Sequence, residues 1–338
     1  LSDKLNIGII GVGGIAQVVH LPILSKFSNV KIGGISELNK SRLNTIANKY
    51  GITNKYQDYR QLLDDKSIDA VIIATPTDTH HNIALDCVSA GKNILIEKPI
   101  ARNYTEAEEI ITKADAAGVK VMVGMNLRFR PDAMLLRSLI NSGDLGKIFY
   151  VRCRWIRKQS SNQAWFMKRE QAGGGVIIDL GIVLLDLVLW LMGYRAVKSV
   201  SVQKFYSETT NVEDSAVGLI RLSGESAINF EASWSLQSEK DSFQLSAFCE
   251  KGNIHLNPLR AFRKIGDNEI DYTPTSGFSD KNMFKKSYEN ELKHFITSIH
   301  NDSLPLISSG KEALLRMNLL EGIYKSAELG REINLDEK

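Results

Sequence analysis

Through the first third of the chain, short apolar runs alternate with longer segments in which apolar side chains recur every three or four residues. The runs are NIGII, VKIGGI, DAVIIAT, NILIE and VMVGM, and the segments between them are 15–27, 40–50, 79–90 and 105–118. A run that is apolar at every position has no solvated side, so these strands belong in a parallel sheet covered on both faces by crossover helices. Gly51, Gly91 and Gly118 each follow a helical segment, where the left-handed terminating residue is most easily a glycine. The pattern predicts a doubly wound α/β domain over residues 1–125.

After residue 125 the texture changes. A helix is expected over 132–142, a strand over Ile148–Ile156, a polar stretch to Gly173, and then the almost unbroken apolar segment GGGVIIDLGIVLLDLVLW. Beyond Ala196 the strand-like runs KSVSVQKFY, DSAVGLIRL, SAINFEASW and SFQLSAFCE follow one another without helices. Such a succession favours an open, largely antiparallel sheet in an α+β domain, taken here as 126–338. Two closing helices, 287–300 and 310–329, are compatible with packing on either domain.

Composition narrows the class without identifying a function. At 338 residues with 43% hydrophobic and 24% charged side chains, the chain has the length and apolar content for two cores. The balance of 42 basic against 39 acidic residues contains no dense basic run, which argues against a nucleic-acid or membrane surface. Cys87, Cys153 and Cys249 are odd in number and widely spaced, fitting neither a disulfide framework nor a metal motif. They read as packing residues of a protein in a reducing compartment. The opening LSDKLNIGIIG enters a strand directly and lacks the pattern of a secretory leader, so a cytoplasmic location is expected. The apolar segment after Gly175 is short for a membrane span and includes Asp179 and Asp186, so a buried helix is the better reading.

The chemistry begins at GIIGVGGIA, where Gly11, Gly13 and Ala16 form a G-x-G-x-x-A pattern between the first strand and first helix. The first glycine permits a tight turn, and the second lets a pyrophosphate approach the backbone. The small Ala16 lets helix and strand pack closely, and the free amides around Gly14 and Ile15 face the phosphates. The second strand ends at Glu37, placed to accept hydrogen bonds from ribose hydroxyls and to repel a ribose phosphate. NAD is therefore favoured, although Lys40 and Arg42 stand close enough to leave NADP open.

Two further strands end in unusual sequences, ATPTDTH at 74–80 and ILIEKPI at 94–100. Pro76 and Pro99 impose extended or turn geometry, bringing Glu97 and Lys98 to the rim where ligands of such sheets lie. Lys98 could accept a hydroxyl proton or polarise a carbonyl; a surface lysine paired with a glutamate is the plainer alternative. His80 and His81 are not separable on these grounds.

Together GVGGIA, Glu37, TPTDTH, EKP, GMNLRF at 124–129 and GGG-x-x-x-D-x-G resemble the dehydrogenase family that includes glucose–fructose oxidoreductase and inositol dehydrogenase. The likeness extends along essentially the whole chain. It implies an N-terminal Rossmann domain, a C-terminal domain with an open sheet, and homodimers or homotetramers formed through that sheet. It also implies that Thr75, Pro76, His80 and Glu97 line the cofactor and that Lys98 lies between nicotinamide and substrate. Asn126 and Arg128 match the segment entering the second domain, as cofactor contacts or as structural residues.

The resemblance also exposes a departure. Asp179, Val183, Asp186 and Trp190 are spaced to share one helical face. Similar sequences read D-x-G-x-H-x-x-D there, the histidine serving as proton partner of the lysine. Here the position is Val183, which neither donates nor accepts a proton. Asp179 matches the substrate-contacting aspartate of the family, whereas Asp186 is expected to be a buried structural acceptor. The leading expectation is an NAD(P)-dependent oxidoreductase of a sugar, cyclitol or related polyol, with Lys98 moving the proton and Asp179 and Val183 beside the substrate. A nucleotide-binding regulator without turnover and a redox-assisted glycoside hydrolysis or elimination are the alternatives.

Overall fold

In a computed structural model, residues 4–235, 241–274 and 282–335 are described, and they divide into two compact units. The first comprises 1–126 together with 285–314, the second 127–284 together with 315–338. The chain thus returns to the first unit over a stretch that a single boundary at 125 does not include.

The first unit is built on six parallel strands: β1 Leu5–Ile10, β2 Val30–Ser36, β3 Lys55–Tyr56, β4 Ala70–Ile73, β5 Asn93–Ile96 and β6 Val121–Val123. Their order is β3-β2-β1-β4-β5-β6. Every residue of β4 is buried, as a strand enclosed on both faces requires. Asn39, Asp58 and Asn103 cap the helices that follow them, each side chain accepting from a backbone amide of the first turn. Gly51 and Gly118, at φ 64° and 65°, end two of those helices. The order reverses between β1 and β4, and the crevice beyond the carboxyl ends of these strands is where such sheets bind ligands.

The second unit carries a nine-stranded mixed sheet among the described residues. Its strands are β7 Ile148–Ile156, β8 Val197–Phe205, β9 Ser215–Leu222, β10 Ser226–Ser233, β11 Ser242–Cys249, β12 Gly252–Leu256, β13 Arg260–Ile265, β14 Asn268–Asp271 and β15 Ile333–Asn334. They lie in the order β14-β13-β12-β11-β7-β10-β9-β8-β15. All pairings are antiparallel except β7 with β10. Burial alternates along β9, where Ala216, Ile220 and Leu222 are covered and Val217, Leu219 and Arg221 are not. The helix Ile182–Leu191 is apolar around almost its whole circumference and buried at every position but Trp190, which marks a core helix.

Candidate functional site

Within the first unit the phosphate loop has the geometry its sequence demands. Gly11 sits at φ 86°, and a Cβ there would lie 2.6 Å from the Ala74 carbonyl oxygen and 2.8 Å from the Thr75 methyl. Only glycine fits. A Cβ on Gly13 or Gly14 would meet nothing within 4 Å, so the backbone there faces open space. The helix then starts at Gly14, so its first amides lie beside this open space. Ala16 is fully buried, and the Leu21 amide donates to its carbonyl across a π turn spanning Ala16–His20.

At the end of β2, the Glu37 carboxylate is fixed from three directions. It accepts from the amides of Asn39 at 3.0 Å and Val12 at 3.3 Å, and from the Arg42 guanidinium at 3.3 Å. The loop that would hold a pyrophosphate and the acid that would hold the ribose are thereby joined through Val12. Open space over Gly13 and Gly14, the amides of the helix start and this acidic acceptor fit a dinucleotide.

The ends of β4 and β5 are tied together by one imidazole. His80, 1% exposed, places Nδ1 2.8 Å from the Pro99 carbonyl and Nε2 2.9 Å from the Thr75 carbonyl. Burial pushes its pKa down against the pull of those two carbonyls. His81 instead pairs with Glu109 at 2.8 Å, so the structure separates the two histidines that the sequence did not. Pro76 is extended at φ −60°, ψ 148°, and the Thr79 hydroxyl bonds to both Thr75 and Pro76. Lys98 is half-buried, next to a cis Lys98–Pro99 peptide. Asn126 donates to the Ser287 hydroxyl at 3.0 Å.

Glu97 has a partner that sequence reasoning missed. His20 Nε2 lies 2.8 Å from its carboxylate, and His20 is fully buried with no hydrogen-bond partner at Nδ1. Burial alone would raise the Glu97 pKa, but the His20 hydrogen bond and charge, with Lys98 and His80, hold it below the ordinary carboxylate value. The available signal was a histidine in the otherwise apolar helical run VVHLPIL.

In the second unit, the triple glycine leads into a helix whose first turns carry Asp179. A Cβ on Gly175 would lie 2.0 Å from the Glu213 carbonyl oxygen. Glu213, also missed in the sequence, accepts from the amides of Gly175 at 2.9 Å and Ile177 at 3.1 Å and from the Tyr324 hydroxyl at 2.8 Å. It is a buried carboxylate on a helix N-terminus. Asp179 Oδ2 accepts from the Ser160 amide and from Trp234 Nε1, both at 3.1 Å. Val183 lies buried in the helix beyond it.

Asp186 is something else. It accepts from Arg128 at 2.8 and 2.6 Å, from Arg316 at 2.7 Å and from Tyr194 at 2.9 Å. Although burial opposes ionisation, the two guanidiniums hold its pKa below the usual range. This is the structural acceptor expected, and it assigns Arg128 to the same cluster. Asp179 lies in a π turn over Ile177–Gly181, and it and Asp186 have wholly different partners.

Aromatic rings gather near Asp179. Phe166 stands 5.6 Å from Trp234 and 5.4 Å from Trp165, and Trp155 stands 5.3 Å from Phe243.

Comparison with known proteins now decides the lineage. Residues 5–125 match an oxidoreductase family with an NAD-binding Rossmann fold, and 133–255 match the GFO/IDH/MocA C-terminal domain. The chain belongs to the GFO/IDH/MocA oxidoreductase family. It is 26% identical to D-glucoside 3-dehydrogenase of Escherichia coli, over 99% of this chain and 98% of that protein. It is 24% identical to myo-inositol 2-dehydrogenase of Thermotoga maritima, over 98% and 99%. Levoglucosan dehydrogenase in complex with NADH shares the fold at a TM-score of 0.89, with 21% identity over 98% of this chain and 99% of that one. As a GFO/IDH/MocA member the chain is an NAD-binding oxidoreductase with a Rossmann domain and a mixed-sheet domain, as the motifs implied.

Proposed function

We propose that this family member is a dehydrogenase of a sugar, cyclitol or related polyol, preferring NAD to NADP. The bound nucleotide supplies the hydride acceptor, and the chain's residues bind, orient and handle the proton. Gly11, Gly13, Gly14, Ile15 and Ala16 hold the pyrophosphate and Glu37 the ribose, while Thr75, Pro76, His80, Glu97 and Asn126 shape the rest of the cofactor site. Lys98 takes the hydroxyl proton. Asp179 accepts from substrate hydroxyls, and Val183 packs against the substrate without exchanging a proton. The observation that carries this reading is the fixed Asp179 carboxylate, oriented by two N–H donors at the head of a glycine-led helix. The names of the two relatives place polyhydroxylated rings within the reach of this lineage.

The test is formation of reduced nucleotide from a panel of sugars and cyclitols with NAD or NADP. Lys98→Met should lower turnover by roughly 10²–10⁴-fold, the usual contribution of a positioned proton acceptor, and leave NADH binding intact. A panel that yields no reduced nucleotide while NADH binds normally refutes the reading.

Val183 favours a second reading, a nucleotide binder that has lost turnover. Under it, Val183→His creates activity that the natural chain lacks.

We further place the protein in the cytoplasm as a homo-oligomer. Phe205, Val217 and Leu219 are 44%, 39% and 36% exposed on β8 and β9, and Tyr150 stacks on Phe248 at 5.5 Å across β7 and β11. A second copy of the chain would cover this sheet face, and sedimentation would read the assembly.

A further inference from the structure

Resting on the dehydrogenase reading, we propose that the substrate is an acidic sugar or polyol, and that Arg157 binds its carboxylate or phosphate group. Arg157 follows the last residue of β7, and its amide donates to the Ser233 carbonyl at 3.0 Å. The residue after Ser233, Trp234, donates its indole N–H to Asp179, and three residues after Arg157 the Ser160 amide donates to the same carboxylate oxygen. Arg157 is therefore anchored at both sides to the segments that orient Asp179.

Its guanidinium lies over the Trp155 ring, 5.8 Å from the centroid. Trp155 in turn packs on Phe243, and a second guanidinium, that of Arg130, lies 5.3 Å over the Phe243 ring. The two cations differ in one respect. Arg130 is neutralised by Asp132, with contacts of 2.6 and 3.0 Å. Arg157 donates one side-chain hydrogen bond, from Nε to the Lys158 carbonyl at 3.2 Å, and no carboxylate among the described residues comes within ion-pair distance. The neighbouring Lys158 adds a further positive charge.

A half-buried guanidinium against an aromatic face has given up part of its hydration, and no counter-charge among the described residues offsets that cost. Stacking leaves the edge of the guanidinium available, and its fork matches the oxygens of a carboxylate or phosphate. The half-buried Trp155 ring, backed by the buried Phe243, offers an apolar edge to the C–H face of a sugar beside it. A neutral polyol would use that ring and Asp179 but give Arg157 no anionic partner.

The experiment compares sugars that differ only in the acidic group: glucose with glucuronate, galactose with galacturonate, and glucose with glucose 6-phosphate. Binding to the NADH-loaded protein is measured by calorimetry, and turnover with NAD alongside. Because Arg157 covers Trp155, inorganic phosphate and acetate are also titrated against tryptophan fluorescence, with Trp155→Phe identifying the signal. At least one acidic member should bind about tenfold or more tighter than its neutral counterpart, weakening as ionic strength rises. Arg157→Gln should abolish that difference while NADH binding is unchanged, and Arg157→Lys should restore part of it. The uronate and phosphate arms show which anion is preferred. Equal binding of every acidic and neutral pair, an Arg157→Gln loss shared equally by both members, or no anion binding in any arm overturns the proposal. If acidic sugars bind through Arg157 but never reduce NAD, Arg157 is an anion-binding residue, the dehydrogenase reading fails, and the assignment of an acidic substrate fails with it. Turnover of neutral sugars with no preference for acidic ones overturns the proposal and leaves the dehydrogenase reading intact.

Discussion

Replacing Glu37 by alanine should move the nucleotide preference from NAD towards NADP, and the structure indicates by how much. In the wild-type chain the carboxylate accepts from Val12, Asn39 and Arg42 and is 11% exposed, a well-held anion at the end of β2. A charge-assisted hydrogen bond to a ribose hydroxyl contributes about 1.5–3 kcal/mol, so its loss should weaken NADH binding roughly 10- to 150-fold. For NADPH the same carboxylate repels the ribose phosphate. At a separation of about 5 Å and an effective dielectric constant near 20, that repulsion is on the order of 3 kcal/mol per unit charge. Removing it also releases Arg42, whose 3.3 Å pair with Glu37 is 42% exposed on the arginine side and so contributes no more than about 1 kcal/mol to stability. The freed guanidinium is a ready phosphate partner.

Dissociation constants for NADH and NADPH are measured by fluorescence titration for the wild type, Glu37→Ala, Glu37→Gln and the double variant Glu37→Ala/Arg42→Ala. Loss of the Val12 and Asn39 contacts would loosen the loop for both nucleotides alike, so the ratio of the two constants is the informative quantity. That ratio should shift by about three to four orders of magnitude in Glu37→Ala, the product of the two effects. Glu37→Gln, which keeps an acceptor but not the charge, should shift mainly the NADPH constant. Removing Arg42 as well should cancel part of the NADPH gain. An unchanged ratio in both single variants, or a double variant identical to Glu37→Ala, would show that this acid–base pair does not read the ribose.

Two further substitutions probe the second unit. Asp186→Asn should destabilise the protein by about 3–5 kcal/mol, because it removes the carboxylate charge that the buried Arg128 and Arg316 share. The depressed Asp186 pKa means that its stabilisation is fully present above the unfolded carboxyl value and is lost as pH falls through the folded value. Chemical denaturation across the acid range should accordingly show a weaker pH dependence in Asp186→Asn than in wild type; equal slopes would show that Asp186 ionisation is not coupled to folding. Trp234→Phe keeps an aromatic ring beside Phe166 but deletes the N–H on Asp179, so kcat/KM should fall about tenfold or more with little change in unfolding midpoint. Equal losses of stability and activity would make Trp234 a packing residue only.

The parts of the fold that a sequence displays are those governed by local pattern. Fully apolar strands, capped helices and the G-x-G-x-x-A turn each have a physical reason that acts within a few residues, and the Rossmann sheet follows from them. β3 has two residues, and β14 is exposed at all four positions, so neither carries a hydrophobic signature. The insertion of β7 between β10 and β11, parallel to one and antiparallel to the other, depends on residues about 80 or more positions apart, with Tyr150 facing Ala227 and Phe248. No local pattern reports that. The same limit hid His20 behind Glu97 and Glu213 beneath the triple glycine, since each is defined by a partner distant in sequence.

Asp179 and Asp186, seven residues apart in one apolar helix, show how neighbours assign roles to identical side chains. Asp186 is surrounded by two guanidiniums and a phenol, which fix its charge and orientation so completely that it serves the fold. Asp179 receives the neutral N–H groups of Ser160 and Trp234 on one oxygen, which orient the carboxylate. Under the proposed function it accepts from substrate hydroxyls. Their separation makes the difference possible: seven residues place the two carboxylates about 10 Å apart along the helix axis, one beside Arg128 and Arg316 and the other beside Trp234 at the end of β10. Val183, between them, supplies no proton chemistry. Under the proposed function the acid–base work then falls on Lys98, and the helix contributes position, through Asp179, rather than proton transfer.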